Sequence, residues 1–148
     1  ARRVSGGWLW QEEDGPGSGR ADWTCGSARQ PDAATLDDLE FVWKIVKHVR
    51  SNAIVVGQGR KLFGCGAGQM SRIDSVRLAL GKAGAFDGTL VLASDAYFPF
   101  RDNIDLAAAG RVSAIIQPGG SIRDDEVRQA CDEHGLVQML SGKRHFLH

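Results

Sequence analysis

Ser51–Arg72 reads SNAIVVGQGRKLFGCGAGQMSR, and the order of its residues decides the fold: strand, turn, strand, glycine loop, helix start. Val55 and Val56 lie in an apolar run, Gly57-Gln58-Gly59-Arg60 signals a turn, and Leu62-Phe63 resumes the apolar run. Gly64, Gly66 and Gly68 then fall at alternate positions before a helix begins. Glycine at such a junction admits a ligand close to the backbone, and the first N–H groups of the helix are unpaired donors that favour an anion. Arg72, in the first turn, reads as a fixed cation, and Asn52 carries an amide able to read a carboxamide or a ribose hydroxyl. A tight structural turn is the other reading of the glycines. The spacing is not the G-x-G-x-x-G dinucleotide fingerprint.

The remainder follows the same alternation. Leu36, Leu39, Phe41, Val42, Ile45, Val46 and Val49 recur at spacings of three and four, which predicts an amphipathic helix over 33–50. A second helix is expected from Ser71 to Ala83, with Ile73, Val76, Leu80 and Ala83 inward, ended by the break Gly84-Ala85-Phe86-Asp87-Gly88. Thr89–Ala93 reads as a buried strand that delivers SDAYFPFRD (94–102), an aromatic loop stiffened by Pro99, at the kind of strand end where open α/β sheets bind ligands. Its aromatic residues plug the edge of the core or face a flat heteroaromatic ligand whose polar edge meets Asp95 and Asp102. A short helix (103–110), a strand (112–117) and a helix to His134 follow. Ser121 and Asp124 form an acidic capping box, Ile122, Val127, Ala130 and Cys131 face inward, and His134 is a helix-end partner for a carboxylate. A last strand spans 136–140. The alternation specifies an α/β fold, a mixed sheet covered by helices on both faces.

Upstream, Val4–Trp10 reads as a short strand or docking segment, and Gln11–Pro31 as a long polar loop with Asp14, Arg20 and Asp22 solvated and Trp23 anchored. The chain divides into an N-terminal segment and loop, 1–34, and a subdomain, 35–148. One core fits 148 residues, and 18 Lys+Arg against 18 Asp+Glu leave no net charge to draw in nucleic acid. No run is long enough to span a membrane, and the three scattered cysteines suit reduced thiols in the cytoplasm. Starting at Ala1, the sequence reads as a fragment of a longer protein.

SNAIV, GAGQMSR, SDAYFPFRDNID, QPGGSIRDDEV, ACDEHG and RHFLH, in that order and at those separations, resemble the C-terminal half of the transformylase region of the AICAR transformylase/IMP cyclohydrolase family. The likeness is close over Thr35–His148 and fainter over Arg3–Gln11 and Arg29–Pro31. It implies a cytidine-deaminase-like α/β/α sandwich, one of two that form each transformylase unit, beside a separate cyclohydrolase domain. It further implies formyl transfer from 10-formyltetrahydrofolate to AICAR in active sites built across a homodimer, with potassium bound near these loops. Asn52 and Arg72 correspond to AICAR contacts. Ile73, Tyr97, Ser121, Ile122, Arg144 and Phe146 correspond to the folate side, and Asp102 to the pterin contact. His148 corresponds to a histidine near the reacting centre and, with Asn52, is carried over as catalytic. Tyr97 stands where the family usually has phenylalanine.

One family motif is missing. The catalytic Lys-His pair lies in K-H-x-x-P-C-G, whereas Lys47-His48 is followed by Val49-Arg50-Ser51-Asn52. Formyl transfer needs a base for the amine proton and a donor for the oxyanion, so the chain alone is expected to be inactive. A non-catalytic folate or nucleotide binding module is the alternative. A zinc deaminase is excluded, because H-x-E and P-C-x-x-C are absent.

Overall fold

The computed structural model describes residues 1–15, 19–85 and 87–148. Residues 16–18 of the expected loop, and Phe86 of the expected break after the second helix, lie outside the described residues. The elements are β1 (Arg2–Val4), β2 (Gly7–Leu9), a 3-10 turn (Arg20–Asp22), β3 (Thr24–Cys25), α1 (Ala33–Val46), β4 (Ile54–Gln58), β5 (Lys61–Gly66), α2 (Arg72–Ala83), β6 (Leu90–Ser94), α3 (Asp102–Ala109), β7 (Val112–Gln117), α4 (Asp124–Glu133) and β8 (Val137–Leu140). Six strands form one sheet in the order β3-β8-β7-β6-β4-β5. β6, β7 and β8 run parallel, and β4, β5 and β3 pair antiparallel.

The sheet is mixed and buried on both faces, the three-layer α/β/α sandwich that the alternation predicts. Successive strand residues point to opposite faces, and the two cores divide accordingly. Ile54, Val56, Leu92 and Ile115 pack toward α2, α3 and α4 with Val76, Ile104 and Val127. Val55, Ala93, Ala114 and Ile116 pack toward α1 with Leu39, Val42, Trp43 and Val46. The expected anchor Trp23 meets Trp43 edge to face, with ring centroids 6.4 Å apart.

Several details differ from the sequence reading. α1 stops at Val46 rather than at residue 50, with Lys47 as its C-cap. Asp32 caps its N-terminus by accepting from the Thr35 N–H. Gly64 and Gly66 are not loop residues: both lie in β5 and are buried. A Cβ on either would stand 2.0 Å from a backbone carbonyl oxygen of α2, that of Ala79 or Ser75. These two glycines therefore let α2 press against the sheet. Only Gly68, at φ +67°, serves the turn into the helix.

Ile122 is fully exposed instead of inward, because α4 begins only at Asp124. There the Asp124 carboxylate accepts from the Gly120 and Ser121 N–H groups, while Ser121 Oγ accepts from the Arg123 N–H. Arg20 is paired with Asp37 and Asp14 with His145, so neither is simply solvated. The segment 2–9 is a two-stranded hairpin lying wholly on the surface, with Trp8 69% and Trp10 77% exposed.

Candidate functional site

The register that sets Ile54 opposite Ser94 places the entry to β4 beside the exit of β6, and α2 begins against both. Arg72 projects from its first turn into that junction. Nη1 donates to Asp95 Oδ1 at 2.5 Å and to Ser94 Oγ at 2.8 Å, and Nη2 donates to Asn52 Oδ1 at 2.8 Å. The Arg72 and Asp95 side chains are 6% and 0% exposed. A carboxylate so far from water persists only when paired and hydrogen-bonded. Asp95 is both, since it also accepts from Ser51 Oγ at 2.5 Å and from the Ala53 N–H at 3.1 Å. Arg72 is thus the fixed cation expected at this position, and what fixes it is its role as counter-ion of an internal acid. Its Nε–H and one Nη2–H remain for a ligand.

Asn52 is similarly committed. Its Nδ2 donates to the carbonyls of Gln69 (2.9 Å) and Met70 (3.2 Å), leaving one lone pair of Oδ1. No side chain caps the α2 N-terminus at Ser71.

In front of this hub opens a cavity of about 450 Å³, lined by Asn52, Arg72 and Ile73, by Tyr97, Pro99 and Phe100 of the aromatic loop, by Asp102 and Asn103, and by Met70 and Phe146. Six expected site residues meet here: Asn52, Arg72, Ile73, Tyr97, Asp102 and Phe146. Phe98 is the exception within its loop, fully buried in the core, while Tyr97 is half-buried and Phe100 half-exposed. Phe98 thus plugs the core, as one reading of the loop expects; Tyr97, Phe100 and Asp102 line the cavity, whereas Asp95, expected beside them, is buried against Arg72 instead of facing it.

Four expected residues do not line the cavity: Ser121, Ile122, Arg144 and His148. They stand around it. Arg123, in the turn that carries Ser121 and Ile122, lies 4.9 Å above the Phe100 ring. Arg144 lies 5.4 Å from the centroid of Phe146, and the His148 ring lies 5.5 Å from it on a tilt. Phe146 also faces a neighbouring cavity of about 380 Å³ shared by Trp10, Gln11 and His148.

Behind the cavity, α3 is braced from outside. Arg101 binds Asp105 and Glu133, and His134 binds Asp105 at 2.8 Å, the helix-end partnership expected of it. Arg101, and then His134, hold the Asp105 carboxyl down to about 2. Reasoning from sequence missed Asn103, whose Oδ1 is buried without a partner beside the cavity, although it adjoins Asp102. It also missed the hub role of Ser51 and Ser94. Lys47 and His48 do not line this cavity; Lys47 donates to the Gly15 carbonyl at 2.6 Å, and His48 is exposed. Among the described residues no three His, Cys, Asp or Glu side chains converge as metal ligands.

The model of the AICARFT/IMPCHase bienzyme family matches residues 1–82, more than half of the chain. The chain belongs to that family. It is 50% identical over 147 residues to the bifunctional purine biosynthesis protein PurH of Synechococcus sp. (strain CC9902), and 51% identical to that of Prochlorococcus marinus (strain MIT 9303). The protein of the same name from Rhodopirellula baltica is 49% identical. In each case the match covers 99% of this chain and 28% of the relative. The chain therefore spans little more than a quarter of the length of these AICARFT/IMPCHase relatives. The likeness runs through residues 1–34 as well, where the quoted motifs are faint.

Proposed function

We propose that residues 35–148, with 1–34 as a leading segment, are the C-terminal subdomain of an AICAR formyltransferase that passes a formyl group from 10-formyltetrahydrofolate to the amine of AICAR in purine biosynthesis. The observation that carries this reading is the convergence of Asn52, Arg72, Ile73, Tyr97, Asp102 and Phe146 on one cavity. In it Arg72 supplies its two spare N–H donors to AICAR, held in place by Asp95, and Asn52 Oδ1 accepts from the carboxamide. Tyr97 and Phe146 offer ring faces to the flat pterin, and Asp102 accepts from the pterin's amino edge. Ser121, Ile122, Arg144 and His148 close over the folate from the rim, with His148 nearest the reacting carbon.

The base that removes the amine proton comes from the Lys-His motif of an upstream transformylase subdomain, and a cyclohydrolase domain closes the ring. The active enzyme is a cytoplasmic homodimer. In this chain no described helix is long and apolar enough to cross a membrane. For potassium, Ser51 Oγ, Asp95 and the Leu147 carbonyl, gathered by the bonds between these residues, supply the hard oxygen ligands such a cation takes. The ion would tie residues 51–53 to segment 141–148.

The test is formyl transfer by the 148-residue chain alone and by the complete enzyme. The expected result is turnover only in the complete enzyme. Turnover by the chain alone would show that it holds its own base, and a complete enzyme that binds folate without transferring formyl would establish the binding-module reading instead.

A further inference from the structure

Phe146 sits on segment 141–148, which has no regular secondary structure beyond β8, yet its backbone is fastened along both edges. Toward the core, the His145 N–H donates to the Asp95 carbonyl at 2.8 Å, the Leu147 N–H to Ser51 Oγ at 3.0 Å, and the Ser51 N–H to the Leu147 carbonyl at 2.9 Å. Toward the outside, the alternate residues bind a single side chain. Gln11 Nε2 donates to the Phe146 carbonyl, and Gln11 Oε1 accepts from the His148 N–H at 3.1 Å. This is the alternation of an extended strand, with the amide of Gln11 in the place of a neighbouring strand. Three residues on, Asp14 Oδ2 lies 2.6 Å from His145 Nδ1, and the His145 ring, 1% exposed, lies 4.6 Å from Trp43.

We propose that Gln11 and Asp14 are positioning residues for the cavity: by clamping segment 141–148 at Phe146, His148 and His145, they set where the Phe146 ring stands against the bound pterin. The proposal rests on the formyltransferase reading for its ligand, but the clamp itself does not. Gln11 holds both peptide groups that flank Leu147, so its loss frees the outer edge while Ser51 and Asp95 keep the inner edge. Asp14 holds the imidazole that anchors the preceding turn. Both residues line the neighbouring 380 Å³ cavity with Phe146 and His148, but neither lines the 450 Å³ cavity, so their effect on a ligand held there passes through the segment.

Two measurements test this. In the complete enzyme, Gln11→Ala is expected to raise the folate KM about fivefold while the AICAR KM stays within about twofold, and kcat should fall by less than the folate KM rises, because Gln11 also holds the His148 N–H. Asp14→Asn, which keeps an acceptor for the imidazole, should lie nearer the native enzyme than Asp14→Ala. Gln11→Ala added to Phe146→Ala should raise the folate KM no further, because on that constant both act through one ring. An unchanged folate KM, equal losses in all three constants, or additive losses in the double variant would each overturn the positioning role. The second measurement needs no ligand: hydrogen exchange in the peptide 141–148 should quicken about tenfold in Gln11→Ala while β7 is unchanged. Unchanged exchange would overturn the clamp. Quickened exchange in a complete enzyme without formyl transfer would uphold the clamp and sink the formyltransferase reading alone.

Discussion

On the inner side of the cavity, Asn52, Arg72, Ser94 and Asp95 hold one another through bonds of 2.5–2.8 Å, with Arg72, Ser94 and Asp95 buried and Asn52 half-buried. On the outer side, Ile122, Arg144 and His148 are exposed, and their ordering contacts are to one another's neighbours: Arg123 over Phe100, and Arg144 and His148 against Phe146. The inner side is held by buried bonds, whereas the outer side is held by ring and cation contacts at the surface. Substitutions on the inner side should therefore register first as stability, and those on the outer side only as ligand binding.

The sharpest break in that comparison is Arg72→Ala. It would leave Asp95 buried and unpaired, a change that typically costs about 3–5 kcal/mol, so the expected outcome is a large fall in the urea midpoint before any ligand is added. A midpoint unchanged by Arg72→Ala would mean that the hub is not what holds this corner together. Next comes Gly66→Ala, whose Cβ would meet the Ser75 carbonyl oxygen at 2.0 Å. Displacing α2 should cost about 1–3 kcal/mol by overpacking, measurable by the same titration, although the residue lies in no cavity wall.

Smaller again is the effect expected at Tyr97, on the cavity wall. Stacking uses the ring face, so Tyr97→Phe should change folate affinity by less than about 1 kcal/mol, and Tyr97→Ala should remove about 0.5–1.5 kcal/mol beyond its buried area. A phenylalanine variant as weak as the alanine one would assign the work to the hydroxyl. Smallest is Ile122→Ala, which should leave stability within about 0.5 kcal/mol and lower folate affinity only. Loss of stability there would erase the distinction between the two sides.

The clamp adds a pH dependence. Burial, and to a lesser degree Lys143 and Lys47, pushes His145 below its ordinary 6.5, with Asp14 pulling the other way. The folded chain then takes up a proton less readily than the unfolded one, so this contribution is complete above about pH 6.5 and is lost as the pH falls toward the folded value. Melting curves between about pH 7.5 and pH 5.5 should fall more steeply for the native chain than for His145→Gln.

The sheet was legible because periods of two and of three to four mark which face each residue takes, and nearly every strand and helix lies within a few residues of its expected place. The glycine stretch shows why local pattern runs out. Gly64 and Gly66 look like a ligand loop because their partners, the carbonyls of Ala79 and Ser75, lie on a helix that follows them. Arg72 reads as a cation for an anionic ligand because its internal partner Asp95 lies 23 residues ahead and meets it only through the pairing of β4 with β6. Ile122 follows the inward spacing of α4, yet α4 starts two residues after it. Five of the six site residues in the cavity came together because each sits at a strand end or a helix start, and Phe146 reaches it from segment 141–148. The remaining four belong to turns and to segment 141–148, whose course depends on distant side chains such as Gln11.

In the proposed enzyme Arg72 is at once the counter-ion of Asp95 and a donor to AICAR, and Arg72→Lys in the complete enzyme separates the two. Lysine keeps the charge for Asp95 but lacks the planar fork that reaches Asn52 and the ligand together. Calorimetric titration of the variant with AICAR and with folate should show AICAR weakened about tenfold, near 1.4 kcal/mol, with folate within about twofold and the fold intact. Equal weakening of both ligands, or AICAR bound as tightly as before, would mean that Arg72 does not donate to the nucleotide.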